Sequence, residues 1–292
     1  MRPTFLLCLV FLLTSAGVRA QEFSGGFRAG LNFNSFDGPA EQSADGTVSY
    51  ESFQRTTGFH VGATFALAFT DLFGFKADLL YSQKGGQIDY EGPSYFYLYS
   101  NPDDLQGDII FGQRTSEHDI INSYIDVPVT AYFKLGKLEL EGGVSAGFLV
   151  ASRVSGADTY QTNTFGLEND IIFSVEGNYF RDLAGGGGVI SRSTTPLPRT
   201  DVLPPDVISA FYNSDRDEPR YRRYDFGLIA GASYFLNSGL YFGVRYQHGL
   251  TDLSRDENDL RLTNEDRVGG RAFNAGDEDF SRSIQASVGF RF

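Results

Sequence analysis

The sequence predicts an all-β fold, an eight-stranded antiparallel up-and-down barrel that crosses a membrane and carries long loops at one end. Three observations predict it. Hydrophobicity repeats with period two in eight separate stretches of about ten residues. The connections between them alternate between very short and long, a sorting that membrane barrels show and soluble sandwiches have no reason to show. The face opposite the apolar one is built from Gly, Ser, Thr and a few charged residues. Such a face suits a narrow interior, whereas a lipocalin-like barrel would point its apolar face inward and a charged face outward.

The chain opens with Arg2, an apolar run over Phe5–Leu13 and small residues ending at Ala20. This reads as a secretory signal peptide, residues 1–20, cleaved to leave residues 21–292. The run is too short to cross a bilayer as a helix. Cys8, the one cysteine, falls inside it, so the mature chain is expected to have no disulfide or thiol chemistry.

In the first strand, Phe27, Ala29, Leu31 and Phe33 share a face. A polar loop over Ser35–Thr57 follows. The second strand, Gly58–Phe69, is the clearest, with Phe59, Val61, Phe65 and Leu67 against His60, Gly62, Thr64 and Ala66. A tight turn at Thr70–Leu72 leads to the third strand, Phe73–Lys84, and a long loop spans Gly85–Asp119. The fourth strand, Tyr124–Phe133, contains Pro128, which lacks the N–H that a ladder needs and so predicts a bulge or a local gap in pairing. Leu135-Gly136 turns the chain into the fifth strand, Lys137–Val150. The third long loop is the largest, at about 151–223. It holds Gly185–Gly188 and a Pro-rich run over Pro196–Pro205, and partial disorder is expected there.

The sixth strand, Tyr224–Phe235, and the seventh, Leu240–Gly249, flank the hairpin turn Asn237-Ser238-Gly239. An acidic loop, Thr251–Asp279, leads to the closing strand, Arg282–Phe292, which puts Ile284, Ala286, Val288, Phe290 and Phe292 on one face. An aromatic last residue is what the closing strand of a bacterial outer-membrane barrel carries, and this strand, ending in Phe292, is the expected contact for the barrel-assembly machinery. The short turns and both termini are then expected on the periplasmic side of the outer membrane, with the four long loops outside. Phe69, Phe73, Phe133, Tyr234 and Phe292 at the turn end, and Phe59, Tyr81 and Tyr246 elsewhere, are expected to form aromatic girdles.

Without residues 1–20, 22 basic residues stand against 37 acidic ones. Such a surface repels nucleic acid. Eight strands leave an interior that side chains just fill, which excludes a general diffusion porin. On the predicted register Lys76, Asp78, Asp126, Glu139, Glu141, Asp225, Arg245 and Arg291 face inward. They are expected to form a salt-bridge network that plugs the lumen, since isolated charges there are costly; a narrow ion or proton path is the sharper alternative.

The three histidines, His60, His118 and His248, fall toward the outer rim. A rim hydrolase would need a Ser or Asp beside His60 or His118. No Gly-x-Ser-x-Gly spacing supports one, and no catalytic residue or cofactor is expected. The acidic clusters Asp215–Glu218, Asp256–Asp259, Glu265-Asp266 and Asp277–Asp279 lack the ligand spacing of a calcium loop, so no metal site is expected. Arg216, Arg220, Arg222 and Arg223 form a basic group at the outer end of the sixth strand, placed to contact lipopolysaccharide phosphates.

Several stretches resemble the PorT-like family of Gram-negative outer-membrane barrels: GGFRAGLNFN at Gly25–Asn34, DLLYSQKGG at Asp78–Gly86, YIDVPVTAYFKLG at Tyr124–Gly136, YDFGLIAGASY at Tyr224–Tyr234 and SVGFRF at Ser287–Phe292. The resemblance covers the barrel and not the long loops, and it implies location and fold more than activity. One member type acts in a secretion machinery. The expected function is a non-enzymatic barrel whose outer loops bind a ligand or an envelope protein partner; the alternative that the resemblance implies is a component of a protein-secretion assembly.

Overall fold

The structure, a computed structural model, describes residues 22–43, 45–98, 108–161, 170–180, 189–193, 219–255 and 278–292. The expected signal peptide, the Gly-rich and Pro-rich stretches of the third loop, and most of the acidic clusters lie outside these residues. Eleven strands form among the described residues: β1 (Glu22–Asp37), β2 (Glu51–Gln54), β3 (Thr56–Ala68), β4 (Phe73–Leu98), β5 (Asp108–Leu135), β6 (Leu138–Gln161), β7 (Ile171–Gly177), β8 (Val189–Ser193), β9 (Tyr224–Phe235), β10 (Leu240–Gly249) and β11 (Phe280–Arg291). Eight of them close a ring in the order β1-β3-β4-β5-β6-β9-β10-β11. Every pairing is antiparallel, and the ring is sealed between β1 and β11 from Gly26↔Arg291 to Asp37↔Phe280.

The period-two pattern sets which face meets lipid. Phe27, Leu31, Phe65, Val129, Val144 and Phe242 are exposed on the outside, while Arg28, Asn32, Thr64, Thr130, Ser145 and Arg245 on the same strands are buried inside. Exposed apolar side chains over the whole outer surface fit a hydrocarbon solvent. The turn end carries Phe69, Phe73 and Phe75 in mutual contact at 5.6–6.1 Å between rings. Toward the other end Phe59 meets Tyr81 at 5.7 Å and Phe148 meets Tyr224 at 5.5 Å.

The turns are made as their residues dictate. Thr70 Oγ1 accepts from the N–H groups of Leu72 and Phe73, Gly136 supplies a positive φ of 63° in the loop between Leu135 and Leu138, and Asn237 Oδ1 accepts from Gly239 and Leu240 N–H. At Pro128 the β5–β6 ladder runs through Pro128↔Ser145. On the β4 side the pairs at Asp78 and Leu79 are missing between Ala77↔Val129 and Leu80↔Asp126, the gap expected of a residue with no N–H to give.

The loop end departs from the sequence expectation. Strands β4, β5 and β6 are 26, 28 and 24 residues long, so parts of the expected loops at 85–119 and 151–223 are sheet. Membrane strands need only about ten residues; the excess continues as an external sheet, to which β2 adds at one edge and β7 and β8 at the other. The register shifts between Ser123 and Tyr124, leaving Val150 as an extra residue on β6. Below it Glu139, Glu141, Ser145 and Leu149 point inward, and above it Ser152, Val154, Asp158 and Tyr160 do. A single inserted residue reverses the parity, which reading the alternation straight on cannot anticipate.

An apolar core covers the mouth of the barrel. Phe36 from β1, Ile88 and Ile120 from the external sheet, Tyr124 and Leu149 at the rim, Val175 and Tyr179 from the third loop, and Tyr221 and Leu253 from the segments beside β9 and β10 form one buried cluster. The rings of Phe36 and Tyr221 stack 6.3 Å apart, and Tyr179 meets Tyr221 edge-on at 5.7 Å. Gly86 lets the end of β1 come this close: a Cβ there would lie 2.9 Å from the Phe36 ring and 3.0 Å from its backbone nitrogen.

Candidate functional site

The interior beneath that cover is polar and filled. Five cations, Arg28, Lys76, Lys84, Arg245 and Arg291, and five carboxylates, Asp78, Asp126, Glu139, Glu141 and Asp225, are buried in the lumen. Near the turn end they form one chain. Arg28 Nη1 lies 3.0 Å from Asp78 Oδ2, and Arg245 pairs with the same oxygen. Thr64 Oγ1 donates to the other Asp78 oxygen at 2.6 Å. Arg245 also grips Glu141, through Nε and through Nη2 at 3.0 Å. Lys76 bridges Glu141 and Glu139, the latter at 2.6 Å, and Arg291 Nη2 reaches Glu139 Oε2 at 3.0 Å. The ion pairs alone tie five strands, β1, β4, β6, β10 and β11, across the bore. Asp78, the hub, sits at the gap that Pro128 leaves in the ladder.

A second group lies toward the mouth. Lys84 Nζ is 2.9 Å from Asp126 Oδ1 and 2.8 Å from Asp225 Oδ2, and stands 4.7 Å from the centre of the Tyr124 ring. Ser281 Oγ donates to Asp225 at 3.1 Å. Each of the eight inward charges read from the alternation thus lies in one of these two groups. Arg28 and Lys84, which that reading did not single out, join them; both occupy even-numbered positions in phase with the inward residues of their strands, which is the signal that marks them.

His60 and His118 each have a Ser or Asp neighbour. His60 Nδ1 is 2.6 Å from Asn32 Oδ1 and its Nε2 is 2.9 Å from Ser287 Oγ. That group lies inside the lumen, with His60 and Ser287 both buried, and Arg28 Nη2 donates to the same Ser287 oxygen at 3.0 Å. His118 Nε2, in the external sheet, is 3.2 Å from Asp158 Oδ1, and Arg114 Nε is 3.8 Å from the same oxygen. Burial pushes the Asp158 carboxyl up, but His118 and Arg114 beside it pull it below its ordinary value. His248 lies in the outer part of β10, 6.2 Å from the Tyr246 ring.

Of the expected basic group, Arg216 lies outside the described residues. Arg222 pairs with Asp252 at 3.0 Å and donates to Ser254 O. Arg220 stands over the rings of Tyr179 and Tyr221 at 5.1 and 5.8 Å, and Arg223 over Phe180 at 4.3 Å. All three help hold the cover, a role that charge spacing alone does not reveal. Among the described residues no group of three or more His, Cys, Asp or Glu side chains is placed to hold a metal ion.

No curated protein matches the chain. Among solved structures, Ail, the attachment invasion locus protein of Yersinia pestis, in complex with the heparin analogue sucrose octasulfate, is 10% identical over 93% of this chain and 99% of its own, with a TM-score of 0.37. OprG from Pseudomonas aeruginosa is 10% identical over 93% and 97%, with a TM-score of 0.36. The outer membrane protease OmpT from Escherichia coli is 9% identical over 92% and 96%, with a TM-score of 0.29. The outer membrane protein beta-barrel domain matches over residues 19–255. With a closed ring of eight antiparallel strands and an apolar outer face, the chain belongs to that family of outer-membrane barrels.

Proposed function

We propose that this protein is a sealed, non-enzymatic outer-membrane barrel that serves as a rigid base for its external sheet, which presents a surface to a ligand or an envelope partner. The observation that carries the reading is the filled bore: ion pairs tie opposite walls near the turn end, and an apolar core covers the other end. Ions crossing would have to displace buried charge pairs and then pass a layer that water avoids. The His60–Ser287 contact is buried in the lumen and held by Asn32 and Arg28 on either side, which favours a packing role. The short turns and both chain ends face the periplasm in this reading, and the sheet projects outside. Arg222 and Arg223, exposed at the rim, are the remaining candidates for lipopolysaccharide phosphates, in competition with Asp252 and Phe180.

Planar-bilayer recording with purified protein tests the seal. No conductance above the lipid baseline is expected, and reproducible unitary steps would overturn the reading. A second reading, a secretion-assembly component of the PorT-like kind, is favoured by the stretches Asp78–Gly86 and Tyr124–Gly136. Those stretches supply Asp78, Lys84, Tyr124 and Asp126, all inside the lumen, so the resemblance speaks for the barrel and less for any partner. A stoichiometric complex purified from membranes would favour this second reading.

A further inference from the structure

We infer that the outer end of the lumen is a binding site for a small monovalent cation, held by Asp225, Asp126 and Tyr124. The lumen charges balance in total but not by region. Near the turn end, four cations, Arg28, Lys76, Arg245 and Arg291, face three carboxylates, Asp78, Glu139 and Glu141. Near the mouth, Lys84 alone faces both Asp126 and Asp225. No ion pair joins the two groups among the described residues. The outer group is therefore left one negative charge in excess, in a place where an uncompensated charge is costly.

Two carboxylates beside a lysine would not by themselves make a site. The second observation is the state of the oxygens around them. Lys84 takes Asp126 Oδ1 and Asp225 Oδ2, and Asp225 Oδ1 is left buried without a hydrogen-bond partner. The Tyr124 hydroxyl is buried without one as well; Tyr124 and Asp225 are both 0% exposed. Ser283 Oγ, one inward position below Ser281 on β11, is in the same condition. Asp126 Oδ1 fills the place a Cβ of Gly147 would take, with Cδ1 of the Tyr124 ring 3.2 Å and the Asp225 backbone oxygen 3.5 Å from that place. The Asp126 carboxylate and the Tyr124 ring thus lie side by side, and Lys84 Nζ joins them to the Asp225 carboxylate.

The chemistry that fits is a hard cation with oxygen ligands, of the size of sodium or potassium. Oxygen donors select against softer metals. A single positive charge brings the group to neutrality, whereas a divalent ion would leave it positive. The cover formed by Phe36 and Tyr221 would make exchange with the medium slow, because the ion leaves only when that contact opens.

The test is thermal unfolding of the full refolded chain in detergent micelles, in sodium chloride against N-methylglucamine chloride at equal ionic strength. Above the dissociation constant, a tenfold rise in sodium is expected to raise the apparent Tm by about 3 °C. Asp225→Asn, which removes the excess charge, should abolish that response. A crystal grown with thallium should show an anomalous peak beside Asp225 Oδ1. A Tm that is the same in sodium, potassium and N-methylglucamine would overturn the proposal, as would a response that follows pH and not the cation, or one retained by Asp225→Asn. Should that variant fail to fold, the thallium peak and Asp126→Asn decide in the same way. Bilayer conductance has no bearing on this outcome, so the site and the seal stand or fall separately.

Discussion

At the scale of single residues the lumen is governed by the cost of leaving a buried charge alone. Arg245 is the only cation that touches both Asp78 and Glu141 among the described residues. Truncation by Arg245→Ala takes one of two cationic partners from each of two buried carboxylates, leaving Asp78 with Arg28 and Glu141 with Lys76. It is expected to lower stability by no more than about 3–5 kcal/mol, the loss found when a buried charge is left wholly unpaired; the urea midpoint of refolding into lipid vesicles measures it. The pair Arg245→Met with Glu141→Leu should lose less than Arg245→Ala alone, since it removes charge from both sides.

Asp158 gives a pH prediction of defined sign. Its folded value lies below the ordinary 3.8. The stability it contributes is therefore fully present above about 3.8 and is lost as pH falls through the lower, folded value. The external sheet is expected to become cleavable by pepsin in that acid window, while an Asp158→Asn variant should show a flatter dependence.

At the scale of elements, register decides what is inside. Val150 is the extra residue beyond which the even-numbered positions, Ser152, Val154, Asp158 and Tyr160, take the covered side. Deleting Val150 should remove the bulge and leave a plain alternation, Leu149 in, Ala151 out and Ser152 in, so that those four residues keep their faces without the extra residue. The expected product keeps both the heat-modifiable gel migration of a folded barrel and the protease protection beyond residue 150; loss of that protection would show that the bulge itself is needed. Gly86 is a second control point. Gly86→Val places atoms where the Phe36 ring and backbone sit and should cost about 1–3 kcal/mol by overpacking. Faster modification of a cysteine introduced at Ser152 would show that the mouth has been pried open.

At the scale of the whole molecule two unlike layers close one bore. Ion pairs need partners from opposite walls, and the apolar cover needs segments far apart in the chain, from Phe36 to Leu253. Hence neither layer is expected to form before the ring has closed, and separate halves of the chain should not bind each other with the protease resistance of the intact protein.

The alternation of Phe59, Val61, Phe65 and Leu67 with His60, Gly62, Thr64 and Ala66, repeated over eight stretches, is a local property of the chain. It determined the ring, its lipid-facing side and the inward charges from Lys76 to Arg291, because a strand's two faces differ by one position and nothing distant can change that. Pro128 likewise announced its gap through the N–H it lacks. Only the tertiary structure decided that β4–β6 run on into an external sheet, that Val150 reverses the parity, and that Arg220 and Arg223 beside β9 stand over the rings of a cover. Those features rest on contacts between segments tens to hundreds of residues apart, whose energies no single stretch of sequence contains.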